Sequence, residues 1–196
     1  MWPNNKERWK QFGNSFSSCL LTLVIVFGGL GFYYFNYFQW RHFEAPLEGL
    51  TYAKENTAPQ LNDFRKKAEA SVIDPARQMA DKIQDLRKST RVKGGGYKEP
   101  EDMEQDVKEI RNRLLEIMTE ARLRRIPKKF DKRYQDCLLA LQDLYYSVNY
   151  IPEIFGEETT GARENVYKKS LKEWKEGEKR LNRAKAYFRD DGGWKL

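Results

Sequence analysis

Beyond residue 58, apolar residues recur in steps of three and four, the spacing that lines one face of a helix. The first stripe is Leu61, Phe64, Ala68, Val72, Ala76, Met79, Ile83 and Leu86, and Thr57 with Gln60 has the spacing of a capping box at its start. Pro75 falls inside this stripe without shifting its phase. The segment therefore reads either as one kinked helix or as two, with Asp74-Pro75 opening the second. Residues 89–99, which include Gly94, Gly95 and Gly96, read as a loop. Pro100 then opens a second helix, with Glu101 and Asp102 in the acidic first turn that a helix dipole favours. Its stripe is Met103, Val107, Ile110, Leu114, Ile117 and Ala121, and Ile126-Pro127 ends it. A third stripe runs Phe130, Tyr134, Cys137, Leu141, Leu144 and Val148, widened by Leu138 and Tyr145. Ile151-Pro152 is expected to close that helix. Gly156 and Gly161 lead into a fourth, carrying Tyr167, Leu171, Trp174, Leu181, Ala184 and Phe188, with Glu178 where an apolar residue is due. Asp190-Asp191-Gly192-Gly193 stops it and leaves residues 190–196 as a tail.

No stretch alternates apolar and polar residues for long, so no strand is expected. Amphipathic helices with short joints predict an all-α domain over residues 59–189, an antiparallel up-down bundle of about four helices, each burying one stripe. A coiled coil between chains is the competing arrangement, because strict four-three spacing also suits a supercoil. The broad aromatic face of the third helix favours the bundle.

The start of the chain obeys a different rule. No charged residue occurs between Gln11 and Trp40. A helix needs about 20 apolar residues to cross a hydrocarbon core, and residues 18–40 supply a run of that length. Trp2 and Trp9 precede it, and Tyr33, Tyr34, Tyr37 and Trp40 crowd its far end, where amphipathic rings sit at headgroup depth. Large aromatics rather than small residues follow the run, which argues against a cleaved signal peptide. Cys19 stands at its start rather than after it, which argues against a lipoprotein. Gly28, Gly29 and Gly31 lack the Gly-x-x-x-Gly spacing and read as ordinary lipid-facing positions. The expected organisation is a short cytoplasmic segment over 1–17, a transmembrane helix over 18–40 acting as a signal anchor, a linker over 41–58, then the bundle and its tail. Lys6, Arg8 and Lys10 precede the span against Glu7 alone, so the positive-inside rule puts the N-terminus in the cytoplasm. The bundle would then lie on the periplasmic or extracellular side of a plasma (inner) membrane.

Composition narrows the chemistry. The chain has 196 residues, one histidine and two cysteines. A single His leaves no multi-histidine metal or catalytic centre, and two Cys leave no zinc cluster or disulfide framework. His42, beside the membrane boundary, reads as an interfacial polar residue. Ser147 and Ser170 have no histidine base, and no Glu-x-x-His pair exists for a carboxylate-bridged metal site. Cys137 lies on the apolar stripe and reads as a small buried hydrophobe. Tyr145, Tyr146 and Tyr150 suit a helix core better than a ligand pocket. The glycine run at 94–96 lacks the Gly-Lys-Ser/Thr ending of a phosphate loop. No catalytic residue, cofactor or metal is expected.

Charge adds one positive feature. Lys and Arg outnumber Asp and Glu by 36 to 29, a net charge of +7. Arg122, Arg124, Arg125, Lys128, Lys129, Lys132 and Arg133 form one basic run, and Lys179, Arg180, Arg183, Lys185 and Arg189 a second. If the first helix leaves the membrane and the next three alternate in direction, both runs meet at the membrane-proximal end. Anionic lipid headgroups or an acidic partner would be their target. An exported domain has no access to nucleic acid, so none is expected as a partner. The function expected is a non-enzymatic, single-pass scaffold, adaptor or subunit of a membrane or cell-envelope complex, partnered by other proteins. The alternative is an anchored bundle that binds a ligand or lipid between its helices, like a sensor ectodomain without a second span.

Overall fold

Thr57 opens the first helix: its backbone N–H is accepted by Gln60 Oε1 at 3.0 Å, which orders the first turn. In the computed structural model, which describes residues 43–53 and 57–189, this helix, α1, continues to Ser89. It consists of Ala58–Ala68, a π turn over Glu69–Ile73, and Asp74–Ser89. The π turn resolves the choice between kink and break. A proline inside a helix has no N–H to donate, and its ring crowds the carbonyl four residues earlier. Here the turn before Pro75 is widened, and the Asp74 N–H reaches back five residues to the Glu69 carbonyl. The extra residue lets both Val72 and Ile73 enter the core, and the helix runs on.

The loop after α1 explains its glycines. Gly94, Gly95 and Gly96 all have positive φ (101°, 92° and 115°), a region that residues with a Cβ enter only with strain. The tight turn they make lets Arg91 and Tyr97 pair as a bridge. Pro100 begins a turn rather than a helix: the Met103 N–H bonds its carbonyl at 3.3 Å, and α2 spans Met103–Arg122. Helix α3 spans Asp131–Gly156 and α4 spans Thr160–Arg189. The expected stop at Pro152 is overridden. Ile151 and Ile154, on either side of it, are both fully buried, and Ile154 packs with Val166 and Tyr167 of α4. One lost backbone bond near a helix end weighs less than that burial.

Residue pairs across the helices give their direction. Lys82 reaches Glu109 from α1 to α2, Tyr134 of α3 bonds the Ala121 carbonyl of α2, and Trp174 of α4 bonds the Ala80 carbonyl of α1. Along each pair of elements, later residues meet earlier ones. The described helices therefore form an antiparallel up-down bundle, as the stripes imply. The closest pair is α3 and α4. A Cβ at Gly177 would lie 3.1 Å from the Ala140 carbonyl and 3.1 Å from Leu144 Cγ. Gly177 and Ser170, not Glu178, complete the α4 stripe: both are buried, with Tyr167, Trp174, Leu181, Ala184 and Phe188 in step. The interior is filled by Ile83, Leu114, Ile117, Tyr134, Leu138, Leu141 and Leu144, each with at most 2% of its surface exposed.

Two features depart from the expected layout. A short parallel pair joins β1 (Thr51–Ala53) to β2 (Arg125–Pro127), with Tyr52 opposite Ile126. Three residues are too few to show alternation, so these strands leave no periodic mark in the sequence. The stretch expected as a linker is also folded onto the bundle from Phe43 to Ala53. Phe43 is 1% exposed, stacks on Tyr145 with ring centroids 3.8 Å apart, and gives its carbonyl to the Gln142 side chain. The expected span at 18–40, His42, Cys19 and the tail at 190–196 lie outside the described residues. Among those described, no helix is long and apolar enough to cross a membrane.

Candidate functional site

A cluster of rings closes the end of the bundle where α2 finishes, α3 begins and α4 finishes. Phe64 of α1 lies 5.5 Å from Phe130 and 5.3 Å from Tyr134, and Phe130 lies 5.2 Å from Phe188, between ring centroids. Tyr187 meets Phe130 edge-on at 6.2 Å and donates its hydroxyl to the Lys129 carbonyl at 3.3 Å. Burial holds the Tyr134 phenol well above its ordinary range. These contacts bring the basic run at 122–133 beside the C-terminal part of the run at 179–189.

The basic side chains divide into two sets. Arg122, Arg124, Arg133, Arg180 and Lys185 are engaged within the fold. Arg122 donates to the carbonyls of Ala45, at 2.8 Å, and Glu48, at 2.5 Å, and so clamps the turn before β1. Partial burial lowers its pKa. Arg124 bonds Ser71 Oγ at 2.7 Å and Glu120 at 2.5 Å, tying the end of α2 to the π turn. Arg133 pairs with Asp136 at 3.1 Å, and its guanidinium stands 5.4 Å from the Tyr187 ring. Lys185 pairs with Asp74 at 2.8 Å. Arg180 pairs with Asp143 at 2.9 Å, midway along α3 and away from the basic end. The second set is Arg125, Lys128, Lys132, Lys179 and Arg183, all exposed and making no ion pair with a described residue. Lys129 is exposed as well, and the Arg189 side chain lies outside the described residues.

Two leucines and a tyrosine belong to this corner that charge counting passes over. Leu123 is 80% exposed, Leu47 in the turn clamped by Arg122 is 38% exposed, and Tyr52 of β1 is 42% exposed. Leu123 stands between Arg122 and Arg124, just off the stripe that ends at Ala121. That isolated apolar residue among arginines is the one sequence signal that could have marked it.

The opposite end holds a different arrangement. Arg87 is 3% exposed, with its guanidinium 4.8 Å from the Trp174 ring and 5.9 Å from Tyr167. Burial lowers its pKa, while Tyr167 and Glu178 oppose the shift. Nearby Tyr97 donates its hydroxyl to Glu164 at 2.5 Å, and Arg91 approaches the same carboxylate at 3.4 Å. Burial and the Glu164 carboxylate push the Tyr97 phenol up to about 12. The Glu164 carboxyl is lowered by that hydrogen bond. Tyr97 and Glu164 satisfy one another, whereas Arg87 lies against ring faces with its Nε and Nη1 buried and without a hydrogen-bond partner among the described residues.

Reactive groups sit in inert settings. Burial holds the Cys137 thiol far above its normal range, so it stays protonated. Ser147 and Ser170 bond one another's carbonyls. Among the described residues no group of three or more His, Cys, Asp or Glu is placed to hold a metal ion. An open groove of about 480 Å³ between α1 and α2 is lined by polar side chains such as Gln78, Gln105, Lys108 and Asn112. Its wall is bridged by the Lys82–Glu109 ion pair at 2.6 Å. No family model, curated protein or solved structure matches the chain.

Proposed function

We propose that the chain is a single-pass membrane protein whose helical bundle serves as a non-enzymatic scaffold, adaptor or subunit of a membrane or cell-envelope complex. The observation that carries this reading is continuity. A run without charge from Gln11 to Trp40 passes, within a few residues, into a bundle whose interior is filled by its own side chains. A filled interior offers stable surfaces rather than a reaction chamber. The exposed cations Arg125, Lys128, Lys132, Lys179 and Arg183 are the members of the two basic runs available to anionic headgroups or an acidic partner. The engaged members, Arg122, Arg124, Arg133, Arg180 and Lys185, hold the helices in place instead. The alternative of a ligand held between helices has only the open polar groove between α1 and α2 in its favour.

Extraction and labelling in cells test the reading. The full chain should stay with the membrane pellet through alkaline carbonate. With Cys19 replaced by Ser, Lys93→Cys should react with an impermeant thiol reagent in intact cells, whereas Asn5→Cys should react only after lysis. Release into the alkaline supernatant would sink the anchor. Inverted labelling would reverse the orientation. Crosslinking in native membranes should then recover neighbouring membrane proteins.

A further inference from the structure

The corner that carries Leu123 combines three properties that are separate elsewhere on the bundle. It exposes large apolar side chains, Leu123 at 80% and Leu47 at 38%. It exposes Arg125, Lys128 and Lys132, cations with no ion-pair partner among the described residues. The chain that follows the uncharged run also leads to it, entering midway along α3 at Phe43 and running on to the turn that Arg122 clamps. Trp40 and Phe43 are three peptide steps apart, which span at most about 10 Å. Phe43 is held by its stack on Tyr145 and by Gln142, and Arg122 clamps the following turn at Ala45 and Glu48. Residues 41 and 42 alone therefore separate the uncharged run from the seated segment that leads to this corner.

We propose that this corner docks on the bilayer surface, Leu123 and Leu47 entering the boundary between headgroups and acyl chains while Arg125, Lys128 and Lys132 meet anionic headgroups. The proposal rests on the membrane-anchored reading and adds to it a particular membrane-facing surface. Apolar tips ringed by cations are the chemistry of an interfacial contact: the leucines gain by leaving water and the cations by approaching lipid phosphate. Arg122 and Arg124, on either side of Leu123, are bonded back into the fold, so they hold the leucine outward rather than compete for lipid. A bundle held by this flank leans on the membrane instead of standing clear on a flexible stalk.

The test uses the full chain in vesicles, with an environment-sensitive fluorophore on Leu123→Cys or, as control, on Val92→Cys. Val92 is also exposed, at 46%, but lies beyond the far end of α1, about 30 Å away along the helices. Lipids carrying a quencher at a shallow acyl position should quench the Leu123 probe several-fold more than the Val92 probe in vesicles containing phosphatidylserine. Exchanging Arg125, Lys128 and Lys132 together for Gln should lower the docked-to-undocked ratio on the order of a hundredfold at low salt, and added salt should act in the same direction. Equal quenching at both sites overturns the proposal, as does an unquenched Leu123 probe on a chain that still resists alkaline extraction. In that second case the anchored reading stands. A chain that alkali strips from the vesicles overturns both. A Leu123 probe shielded only in native membranes assigns the corner to a protein partner instead and overturns lipid docking.

Discussion

Ser147 and Ser170 each donate a hydroxyl proton to the other's backbone carbonyl, at 2.9 and 2.8 Å, across the interface of α3 and α4. Both residues are fully buried. Two small side chains bring the helices together, and the reciprocal bonds satisfy hydroxyls that would otherwise be costly to bury. Replacing either serine by Ala should cost about 1 kcal/mol, and Val at either position should cost about 1–3 kcal/mol through overpacking. The double Ala variant should lose less than the sum of the singles, because one interaction unit is removed in both. Chemical denaturation of the five variants measures this. Strict additivity would mean the two bonds do not act together.

Gly177 and Gly161 separate packing from intrinsic helix propensity. Glycine to alanine in a helix normally gains up to about 1 kcal/mol. At Gly161, in the first turn of α4, a Cβ would meet nothing within 4 Å, so Gly161→Ala should be neutral or stabilising. At Gly177 the new Cβ would press on the Ala140 carbonyl and Leu144 Cγ, both at 3.1 Å. Gly177→Ala should therefore destabilise, opposite in sign. Thermal melts of the two variants decide it.

Much of this bundle is legible in the stripes. Leu114, Leu141 and Phe188, placed by three-four spacing alone, are all fully buried. What escapes the pattern has identifiable physical causes. Gly177 and Ser170 occupy interface positions but are not apolar, so a stripe read by hydrophobicity shows a gap there and draws the eye to Glu178. Pro152 looks like a stop because local preference says so, and the burial of Ile154 outweighs it. Strands β1 and β2 exist only because distant segments meet. The candidate basic surface is half legible. Composition finds the cations, but only the fold separates those that clamp it, such as Arg122, from those left in solvent, such as Lys128.

The Asp143–Arg180 pair gives the domain a pH dependence. Burial raises the Asp143 carboxyl from 3.8 to about 6 even with Arg180 at 2.9 Å. A carboxyl whose folded pKa lies above its unfolded value takes up a proton more readily when folded. Its contribution to stability is thus fully present below about 3.8 and is lost as pH rises through about 6. Asp143→Asn should flatten this component of a stability-against-pH curve measured by urea denaturation. An unchanged profile between those values would show that Asp143 is not its source.

Arg122 decides whether residues 43–53 behave as part of the bundle or as a tether. Its guanidinium satisfies the carbonyls of Ala45 and Glu48, and the same segment is seated by Phe43 on Tyr145 and by β1 on β2. Arg122→Met keeps most of the apolar stem but leaves both carbonyls without their charged donor. The helices do not depend on that bond, because the α2 stripe from Met103 to Ala121 is buried independently of it. The expected result is local: protease cleavage within 44–57 should accelerate at least tenfold, while the global unfolding midpoint moves little. Phe43→Ala should produce the same pattern by removing the other fastening, and combining the two should add little once the segment is already released. Loss of global stability equal to that of a core change such as Leu114→Asp, which buries an unpaired carboxylate, would instead make the segment an integral part of the bundle's cooperative unit.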